Sequence, residues 1–441
     1  MDARRRYDAP GLGVLGPEHK AVPLAARGRT AEDFLSTAPG LAELPTPLLT
    51  LDSGALQQNL RTMADWAGAV GVDLAPHGKT SMAPVLWHQQ LLAGALGITV
   101  ATGWQLTVAL EHDVPWVLMA YPLLDPALIR HLAGSPPAAR VLSWVDGVDV
   151  VEAMAAALAG QEIARPLEVL VELGAPGGRT GARSVDEALA VARAVQAVPG
   201  LRLAGVAGYE GALAHDGSAE SLSVVRKYLV DLAGLHTRLL AGGYPADRLG
   251  ELVVSAGGSA YFDVVAEVLA RLHDPYGRSG PPVRVVVRAG AYLAHDDGFY
   301  RGVTPMNQSP QQPDRATPGH LRAALHAWVR VVSRPEPGLA LVDAGKRDLP
   351  FDEGLPEVQR IRRSGTAAAK PLTGAVVSAM NDQHTFVRLG PDSAPVAVGD
   401  VLRLGISHPC TAFDKWQLIP VLDDADAEQP TVIDFVRTVF G

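Results

Sequence analysis

The sequence predicts an α/β protein, with a (β/α)8 TIM barrel followed by a second, mainly β domain. Segments typical of strands alternate with segments of helical periodicity from Thr46 to about residue 318. These helical segments are long enough to connect parallel strands as crossovers. Beyond that point short alternating segments separated by turn residues predominate. About eight strand–helix units favour a closed barrel over an open sheet.

Length and composition agree with this architecture. The chain has 441 residues, 48% of them hydrophobic, which fits one large domain and a smaller one. Its formal net charge of −9 argues against nonspecific nucleic-acid binding. The one cysteine, Cys410, cannot form an intrachain disulfide. No apolar core follows the basic N-terminal cluster, and glycines and polar residues interrupt the uncharged run Leu91 to Leu110, so we expect a soluble cytoplasmic protein without a membrane span.

The expected order of elements begins with an N-terminal arm, residues 1–40, possibly packed on the β domain, and continues with the barrel over residues 41–318. The predicted strands are PLLTLD (47–52), VDLAPHGKT (72–80), GITVAT (97–102), PWVLMAY (115–121), ARVLSWV (139–145), PLEVLVELG (166–174), LRLAGVAGYEG (201–211), ELVVSAGGS (251–259) and VRVVVRAG (283–290). The predicted helices are 53–71, 81–95, 103–114, 146–160, 184–198, 218–243 and 261–272.

The second domain, residues 319–441, is predicted to consist mainly of short strands. They are expected within residues 325–345, 374–390, 398–410 and 417–424, each group containing turn residues. The next helical pattern is predicted only at the C-terminus, in TVIDFVRTVFG.

A lysine at the end of an early barrel strand is the first functional signal. Lys79 lies in APHGKTSM, and catalytic groups of such barrels sit at the C-terminal ends of strands. Amine chemistry on a carbonyl cofactor needs a lysine in a restricted pocket, where its pKa can fall. The alternative is an ordinary exposed loop lysine.

Three later strands end in glycine-rich loops, which let backbone N–H groups approach a phosphate. VELGAPGGRTG carries Arg179, and VSAGGSA and VVVRAGAY carry the remaining candidates: Ser255, Gly257, Gly258, Ser259, Arg288, Gly290, Ala291 and Tyr292. Glycine after a strand is also ordinary turn chemistry, so each loop alone is weak evidence. Together with Lys79 they indicate a phosphate-bearing cofactor.

These segments resemble the fold-type III pyridoxal-phosphate enzymes of the alanine-racemase-like superfamily, and within it the D-threonine aldolase / D-serine dehydratase family, over about Thr46 to Asp424. The resemblance implies that Lys79 in PHGKT is the Schiff-base lysine. It places Arg179 near the phenolic oxygen of pyridoxal 5′-phosphate and His77 and Tyr209 of GYEG beside the cofactor. SAGGSA and RAGAY correspond to the phosphate loops, and Arg288 to the arginine that faces the pyridine nitrogen in the racemases.

The stretch ISHPCTAFDKW indicates a metal site. His408 and Cys410 are two residues apart, so on a strand both side chains would share a face. Histidine and cysteine suit zinc, although a buried structural cysteine beside an incidental histidine is the alternative. SHPC resembles the metal motif of D-serine dehydratases, whereas the second metal ligand of the aldolases is typically an aspartate. The resemblance therefore implies Zn²⁺ rather than Mn²⁺ or another divalent ion. His384 in NDQHTF could lie near this site or in a surface loop.

The resemblance implies a zinc-dependent dehydratase of a D-3-hydroxy amino acid such as D-serine. A D-threonine-type aldolase is the alternative, followed by a racemase and a non-catalytic carrier of the cofactor. The racemase is disfavoured because the β domain offers a metal pair where racemases supply a second base. The carrier is disfavoured because such proteins are small single domains. Family members are commonly dimers, so the expected partners are a D-amino acid substrate and a second copy of the chain, with no nucleic acid and no membrane.

Overall fold

The computed structural model describes residues 12–20, 22–242, 251–278, 280–307 and 319–440. It confirms the predicted fold class, because one eight-stranded parallel sheet and a separate, mainly antiparallel sheet make up the molecule. In the described part of the chain no helix is both long and apolar enough to cross a membrane.

The barrel strands run in chain order around the sheet. They are β2 (Asp73–Leu74), β3 (Ile98–Val100), β4 (Trp116–Pro122), β5 (Arg140–Val145), β6 (Leu167–Leu173), β7 (Leu201–Gly208), β8 (Leu252–Ala256) and β9 (Val283–Val287). β2 pairs with β9, and a parallel bridge between His77 and Thr99 joins the chain after β2 to β3. This bridge closes the barrel next to the predicted cofactor lysine.

Helices follow the strands and cover the barrel. They are α2 (Ser53–Val70), α3 (Pro84–Leu92), α4 (Gly103–Glu111), α5 (Pro126–Gly134), α6 (Val148–Leu158), α7 (Val185–Gln196), α8 (Ala219–Ala241) and α9 (Phe262–Leu269). The barrel interior is filled by apolar side chains such as Leu118, Leu142, Leu170 and Val253, all fully buried. Because the barrel is packed rather than hollow, a ligand can enter only at its mouth.

Opposite charges alternate at the other end of the barrel, where the strands begin. Arg140 binds Glu168 at 2.8 Å and Glu251 at 2.7 Å, and Arg202 binds the other oxygen of Glu168 at 2.6 Å. Arg284 continues the chain of ion pairs to Glu251 at 2.5 Å and to Asp73 at 2.9 Å. We call these six side chains the basal charge network.

The second sheet collects strands from both ends of the chain. They are β1 (Leu48–Asp52), β10 (Leu325–Glu336), β11 (Leu339–Val342), β12 (Glu357–Arg362), β13 (Ala369–Pro371), β14 (Ala375–Met380), β15 (Thr385–Leu389), β16 (Val401–Gly405), β17 (Leu418–Leu422) and β18 (Val432–Arg437). The short helices α10 (Phe299–Val303) and α11 (Cys410–Phe413) lie near the barrel mouth.

Two predicted elements differ from the structure. The strand predicted as PLLTLD exists as β1, but it pairs with β10 and β17 in the second sheet, although the predicted domain limits assign it to the barrel. The C-terminal segment predicted to be helical is the strand β18, which pairs with β17. Its β-branched and aromatic residues face a partner strand there, and tertiary pairing overrides a helical pattern in so short a segment.

The described part of the N-terminal arm contains α1 (Ala31–Leu35) and contacts the second domain. The ring of Phe34 in α1 lies against Phe435 at a centroid distance of 6.3 Å. The Leu41 N–H donates to the Pro430 carbonyl at 2.8 Å. Lys20 binds Asp348 at 3.1 Å and lies 4.2 Å above the Trp416 ring, which assigns Trp416 a structural role.

Candidate active site

A cavity of about 850 Å³ opens at the barrel mouth, where the strands end. It is lined by twelve of the fourteen predicted site residues: His77, Lys79, Arg179, Tyr209, Gly257, Gly258, Ser259, Arg288, Gly290, Ala291, His408 and Cys410. The remaining two, Ser255 and Tyr292, are buried behind its wall. The fold therefore brings the two predicted functional stretches, more than 300 residues apart, into one cavity.

Lys79 lies in a single turn, Gly78–Thr80, directly after β2. The indole Nε1 of Trp87 donates to the Gly78 carbonyl at 3.2 Å and fixes this turn. A Cβ at Gly78 would come within 2.6 Å of Ile98, so only glycine allows the turn to pack so closely. Burial lowers the pKa of Lys79, the Cys410 charge opposes this, and the positive charges of Arg179 and Arg288 lower it further. Such an environment favours the neutral, nucleophilic amine.

His77 lines the same wall with its Nδ1 buried and unpartnered among the described residues. Burial lowers the pKa of His77 well below its usual value, and the charges of Lys79 and Arg288 add to the effect. The ring is therefore neutral at physiological pH, which makes it suited to packing against an uncharged face of a cofactor ring.

Arg179 and Tyr209 form the opposite part of the mouth. The Arg179 guanidinium lies 4.8 Å from the centroid of the Tyr209 ring, in a cation–π arrangement. Burial raises the pKa of Tyr209, with the neighbouring Glu210 charge adding to it. Tyr209 thus stays protonated, and the Arg179 side chain is exposed to the cavity.

Arg288 is buried at the end of β9 and is fixed by two neutral partners. Its guanidinium donates to the Ser255 Oγ at 2.7 Å and to the Gly208 carbonyl at 2.7 Å. It also lies 4.9 Å from the centroid of the Trp144 ring. Burial lowers the pKa of Arg288, although nearby carboxylates oppose this. Ser255, predicted to bind the cofactor, therefore supports Arg288 instead.

Ser259 joins the two predicted phosphate loops. Its Oγ accepts the N–H groups of Gly290 at 3.2 Å and Ala291 at 3.1 Å. A Cβ at Gly290 would come within 2.6 Å of the His77 carbonyl, so glycine is required for the loop to lie against the cofactor-lysine segment. The Ser259 hydroxyl keeps its own proton to donate at this wall of the cavity, which fits a phosphate group.

The amides of the other predicted phosphate loop are already paired. Gly257 and Gly258 donate to the two carboxylate oxygens of Glu210, at 3.0 Å and 2.6 Å. The glycine-rich loop predicted that these N–H groups face the phosphate, and no sequence pattern indicated Glu210 as their partner. Tyr292, the last predicted cofactor residue, accepts a hydrogen bond from Gln90 at 3.1 Å and is buried, so it supports the wall.

The predicted metal pair lines the cavity, but neither residue lies on a strand. His408 follows the end of β16, and Cys410 begins α11. The intervening Pro409 caps that helix, which breaks the alternation assumed from the spacing. Both side chains nevertheless reach the same cavity, half-buried, because the loop turns over the barrel mouth.

Asp352 holds the ring of His408. Its Oδ2 lies 2.7 Å from the His408 Nδ1, and its Oδ1 accepts from the Thr411 hydroxyl at 2.6 Å. Burial opposes protonation of His408, but Cys410 and Asp352 together raise its pKa to about 9. A carboxylate on one ring nitrogen is the usual arrangement for a histidine that binds a metal through the other nitrogen.

Cys410 connects this loop to the lysine turn. Its Sγ lies 3.4 Å from the Thr80 Oγ1, one residue beyond Lys79. Among the described residues no group of three or more histidine, cysteine, aspartate or glutamate side chains is arranged to hold a metal. His408 and Cys410 are therefore two candidate ligands, and water or substrate would have to complete a metal site there. His384 is exposed in the turn between β14 and β15 and does not line the cavity.

Other lining residues escaped the sequence analysis. Tyr300 in α10 faces the cavity with its ring centroid 6.2 Å from that of His408, and burial raises its pKa well above the usual value. His215 and Glu353 also line the cavity, although both are largely exposed. His215 follows the quoted GYEG motif by four residues, which is the signal that could have drawn attention to it.

Glu172 lies beside the cavity at the end of β6. Its Oε1 accepts from the Thr180 hydroxyl at 2.8 Å, whereas its Oε2 is buried and unpartnered among the described residues. Burial raises the pKa of Glu172 to about 7, against the effect of the Thr180 hydrogen bond. The mouth therefore contains both cations and a carboxyl group that ionises only near neutral pH.

Comparison with known proteins gives one family model and several relatives. The model of a putative serine dehydratase domain matches residues 324–422. The chain is 28% identical to a D-threonine aldolase of Arthrobacter sp. over 393 residues, 88% of this chain and 92% of the relative. It is 29% identical to a 3-hydroxy-D-aspartate aldolase of Paracoccus denitrificans over 324 residues, 73% of this chain and 77% of the relative. A D-threo-3-hydroxyaspartate dehydratase of Delftia sp. is 25% identical, over 84% of this chain and 92% of the relative.

Solved structures share the fold. The crystal structure of a D-threonine aldolase from Filomicrobium marinum has a TM-score of 0.70 at 23% identity and covers 90% of this chain and 95% of its own. A cysteine-to-alanine variant of a D-threo-3-hydroxyaspartate dehydratase, in its metal-free form, has a TM-score of 0.67 at 24% identity and covers 91% of this chain and 100% of its own.

Proposed function

We propose that the chain is a fold-type III pyridoxal-phosphate enzyme and, within that group, a zinc-dependent dehydratase of a D-3-hydroxy amino acid such as D-serine. The relatives are lyases of D-amino acids, some aldolases and one a dehydratase. One observation carries this proposal: His408, whose ring is fixed by Asp352 at 2.7 Å, and Cys410 line the same cavity as Lys79.

The residues present fit pyridoxal phosphate. Lys79 offers an amine of lowered pKa for the aldehyde, and neutral His77 lies beside it in the cavity wall. The hydroxyl of Ser259, held by the N–H groups of Gly290 and Ala291, offers a proton donor for the phosphate. When bound, the cofactor delocalises the negative charge that develops at the substrate Cα.

Lys79 is also the best candidate base for the Cα proton. Its neutral form would accept that proton, and burial together with the nearby arginines favours this form. Arg179, exposed in the cavity, can bind an anionic oxygen of cofactor or substrate.

His408 and Cys410 would hold the zinc ion, whose Lewis acidity would stabilise a hydroxide leaving from Cβ. Asp352 would keep the His408 ring oriented and its Nδ1 engaged. In the net reaction the C–H bond at Cα and the C–O bond at Cβ break, and water is lost. The resulting enamine takes up water to give a 2-keto acid and ammonia.

A second candidate is supported by the relatives. The two aldolases are 28% and 29% identical to the chain, compared with 25% for the dehydratase. In an aldolase the Cα–Cβ bond breaks instead, and the products are glycine and an aldehyde. Cys410 favours the dehydratase, because the resemblance associates an aspartate with the aldolases at the second ligand position.

The test is an assay of the purified protein with D- and L-3-hydroxy amino acids, before and after treatment with a chelator. We expect keto acid and ammonia from D-substrates only, with loss of activity on chelation and recovery on addition of zinc. Glycine and aldehyde as the products would replace this proposal by the aldolase.

The expected homodimer stays a prediction. Tyr121 and Leu124, which line the cavity, are each about half exposed, at 48% and 49%. Exposed apolar side chains at a site rim often mark a contact surface. A second copy docking there would bury them, and size-exclusion chromatography with light scattering measures whether the chain forms such a dimer.

A further inference from the structure

Glu210 is a fully buried carboxylate at the end of β7, with 0% of its surface exposed. Both of its oxygens accept backbone N–H groups from the turn that follows β8, Gly257 at 3.0 Å and Gly258 at 2.6 Å. Hydrogen bonds to a charged acceptor are stronger than those to a neutral one, so this pair holds the turn firmly.

The N–H groups of Gly257 and Gly258 are not available to bind the phosphate, although the glycine-rich loop predicted that they would be. A backbone N–H has one proton to donate, and here both protons point at Glu210. The remaining donor at this wall is the hydroxyl of Ser259, which keeps its own proton while its Oγ accepts the N–H groups of Gly290 and Ala291. A second anion on the Glu210 side of the turn would also meet the charge of that carboxylate.

Glu210 acts on two further parts of the cofactor site. It directly follows Tyr209, whose ring lies under Arg179, so any shift of Glu210 moves that tyrosine. Among the groups that oppose the effect of burial on the pKa of Arg288, Glu210 has the largest influence. Since the hydrogen bonds of Arg288 go to the neutral Ser255 and Gly208, the charge of Glu210 offsets part of the cost of burying that guanidinium.

We propose that Glu210 is a positioning residue for the cofactor. Its carboxylate fixes the Gly257–Gly258 turn, balances the charge of Arg288, and leaves the phosphate to the hydroxyl of Ser259. This inference rests on the proposed binding of pyridoxal phosphate, but it does not depend on whether the reaction is a dehydration or an aldol cleavage.

The test compares Glu210→Gln with Glu168→Gln, which removes a buried carboxylate from the basal charge network at the other end of the barrel. Pyridoxal phosphate is titrated into each cofactor-free protein. In Glu210→Gln the amide nitrogen opposes one glycine N–H, so we expect the dissociation constant to rise about tenfold or more. In Glu168→Gln we expect thermal stability to fall while the dissociation constant stays within about twofold of the wild-type value.

A spectroscopic measurement separates positioning from general loosening. The visible absorption band of the bound cofactor is expected to shift in Glu210→Gln, because the charge near Arg288 has changed, and to remain in place in Glu168→Gln. Unchanged affinity and an unchanged band in a folded Glu210→Gln protein would overturn the proposal.

Glu210→Asp serves if Glu210→Gln does not fold. It keeps the charge but shortens the side chain by one methylene, so it is expected to preserve the absorption band and to weaken cofactor binding by losing an amide contact. Wild-type affinity in this variant would contradict the proposed positioning of the turn. A wild-type protein that fails to bind pyridoxal phosphate would instead contradict the proposed function.

Discussion

The two ends of the barrel are built from the same strands but use charge in opposite ways. In the basal charge network each arginine is paired with at least one carboxylate, at 2.5 to 2.9 Å. At the mouth, Lys79, Arg179 and Arg288 lie around one cavity, and Arg288 makes its hydrogen bonds to neutral groups. The base therefore satisfies its own charges, whereas at the mouth the exposed Arg179 faces a cavity in which an anionic ligand can bind it.

This difference separates residues that stabilise the fold from residues that serve the site. Changes at the base should alter the free energy of unfolding and leave ligand binding intact. Changes at the mouth should alter binding or chemistry, and some should even stabilise the cofactor-free protein, because the site keeps unfavourable charges for its function.

Replacing Lys79 should have the largest effect at the mouth. In Lys79→Ala we expect activity to fall at least about a thousandfold, because both the covalent attachment point and the base are lost. Mass spectrometry after borohydride reduction should find the cofactor on the peptide containing Lys79 in the wild type and not in the variant. Lys370→Arg, an exposed change on β13, is the control and should keep the adduct. An adduct that persists on another lysine of Lys79→Ala would disprove the assignment.

The next largest effect is expected at Asp352. In Asp352→Asn the His408 ring loses the carboxylate at its Nδ1, so zinc affinity should fall about 10- to 100-fold. Titration of the metal-free protein with zinc against a competing chelator measures this change. Asp392→Asn, in an exposed turn, should bind zinc as the wild type does. Equal zinc affinities for Asp352→Asn and the wild type would remove the metal argument.

Glu172 should make the cofactor-free protein less stable as the pH rises. Burial raises its folded-state pKa to about 7, so the stability it contributes is complete below its unfolded-state pKa and is lost as the pH rises towards 7. Glu172→Gln cannot ionise, so at pH 8 it should be more stable than the wild type by about 2 kcal/mol, with the advantage gone near pH 4.5. Urea denaturation at both pH values tests this, with the exposed Glu162→Gln as the control. A pH-independent difference would contradict it.

The smallest effect is expected at the base. Glu168→Gln removes a carboxylate shared by Arg140 and Arg202, which should lower the free energy of unfolding by about 1 to 2 kcal/mol. High salt should reduce the difference in urea denaturation between variant and wild type, because salt screens partly exposed ion pairs. A loss of cofactor affinity as large as that in a mouth variant would break the distinction between the two ends.

The sequence predicted the barrel and much of its mouth because those features are local. Parallel strands buried on both faces read as apolar runs, and strand ends mark where their loops converge. Arg288 directly follows such a run, and Lys79 and Arg179 lie in the loops after theirs, so their common location could be inferred without coordinates.

Features that depend on distant partners were not predictable in this way. Glu210 pairs with a turn 47 residues away, and no local pattern distinguishes such a carboxylate from an exposed one. The spacing of His408 and Cys410 was interpreted as a strand, but Pro409 begins a helix between them. The pairing of β18 and the placement of β1 likewise depend on strands elsewhere in the chain.

The position of β1 has a consequence for how the chain can be made or divided. Leu48–Asp52 lies between β10 and β17 in the second sheet, so its neighbours are synthesised some 270 residues or more after it. During synthesis this strand has no neighbouring strand to pair with until almost the whole polypeptide has emerged from the ribosome. A fragment beginning at residue 319 would have an open slot in the middle of its sheet, and supplying the missing segment as a separate peptide should restore it.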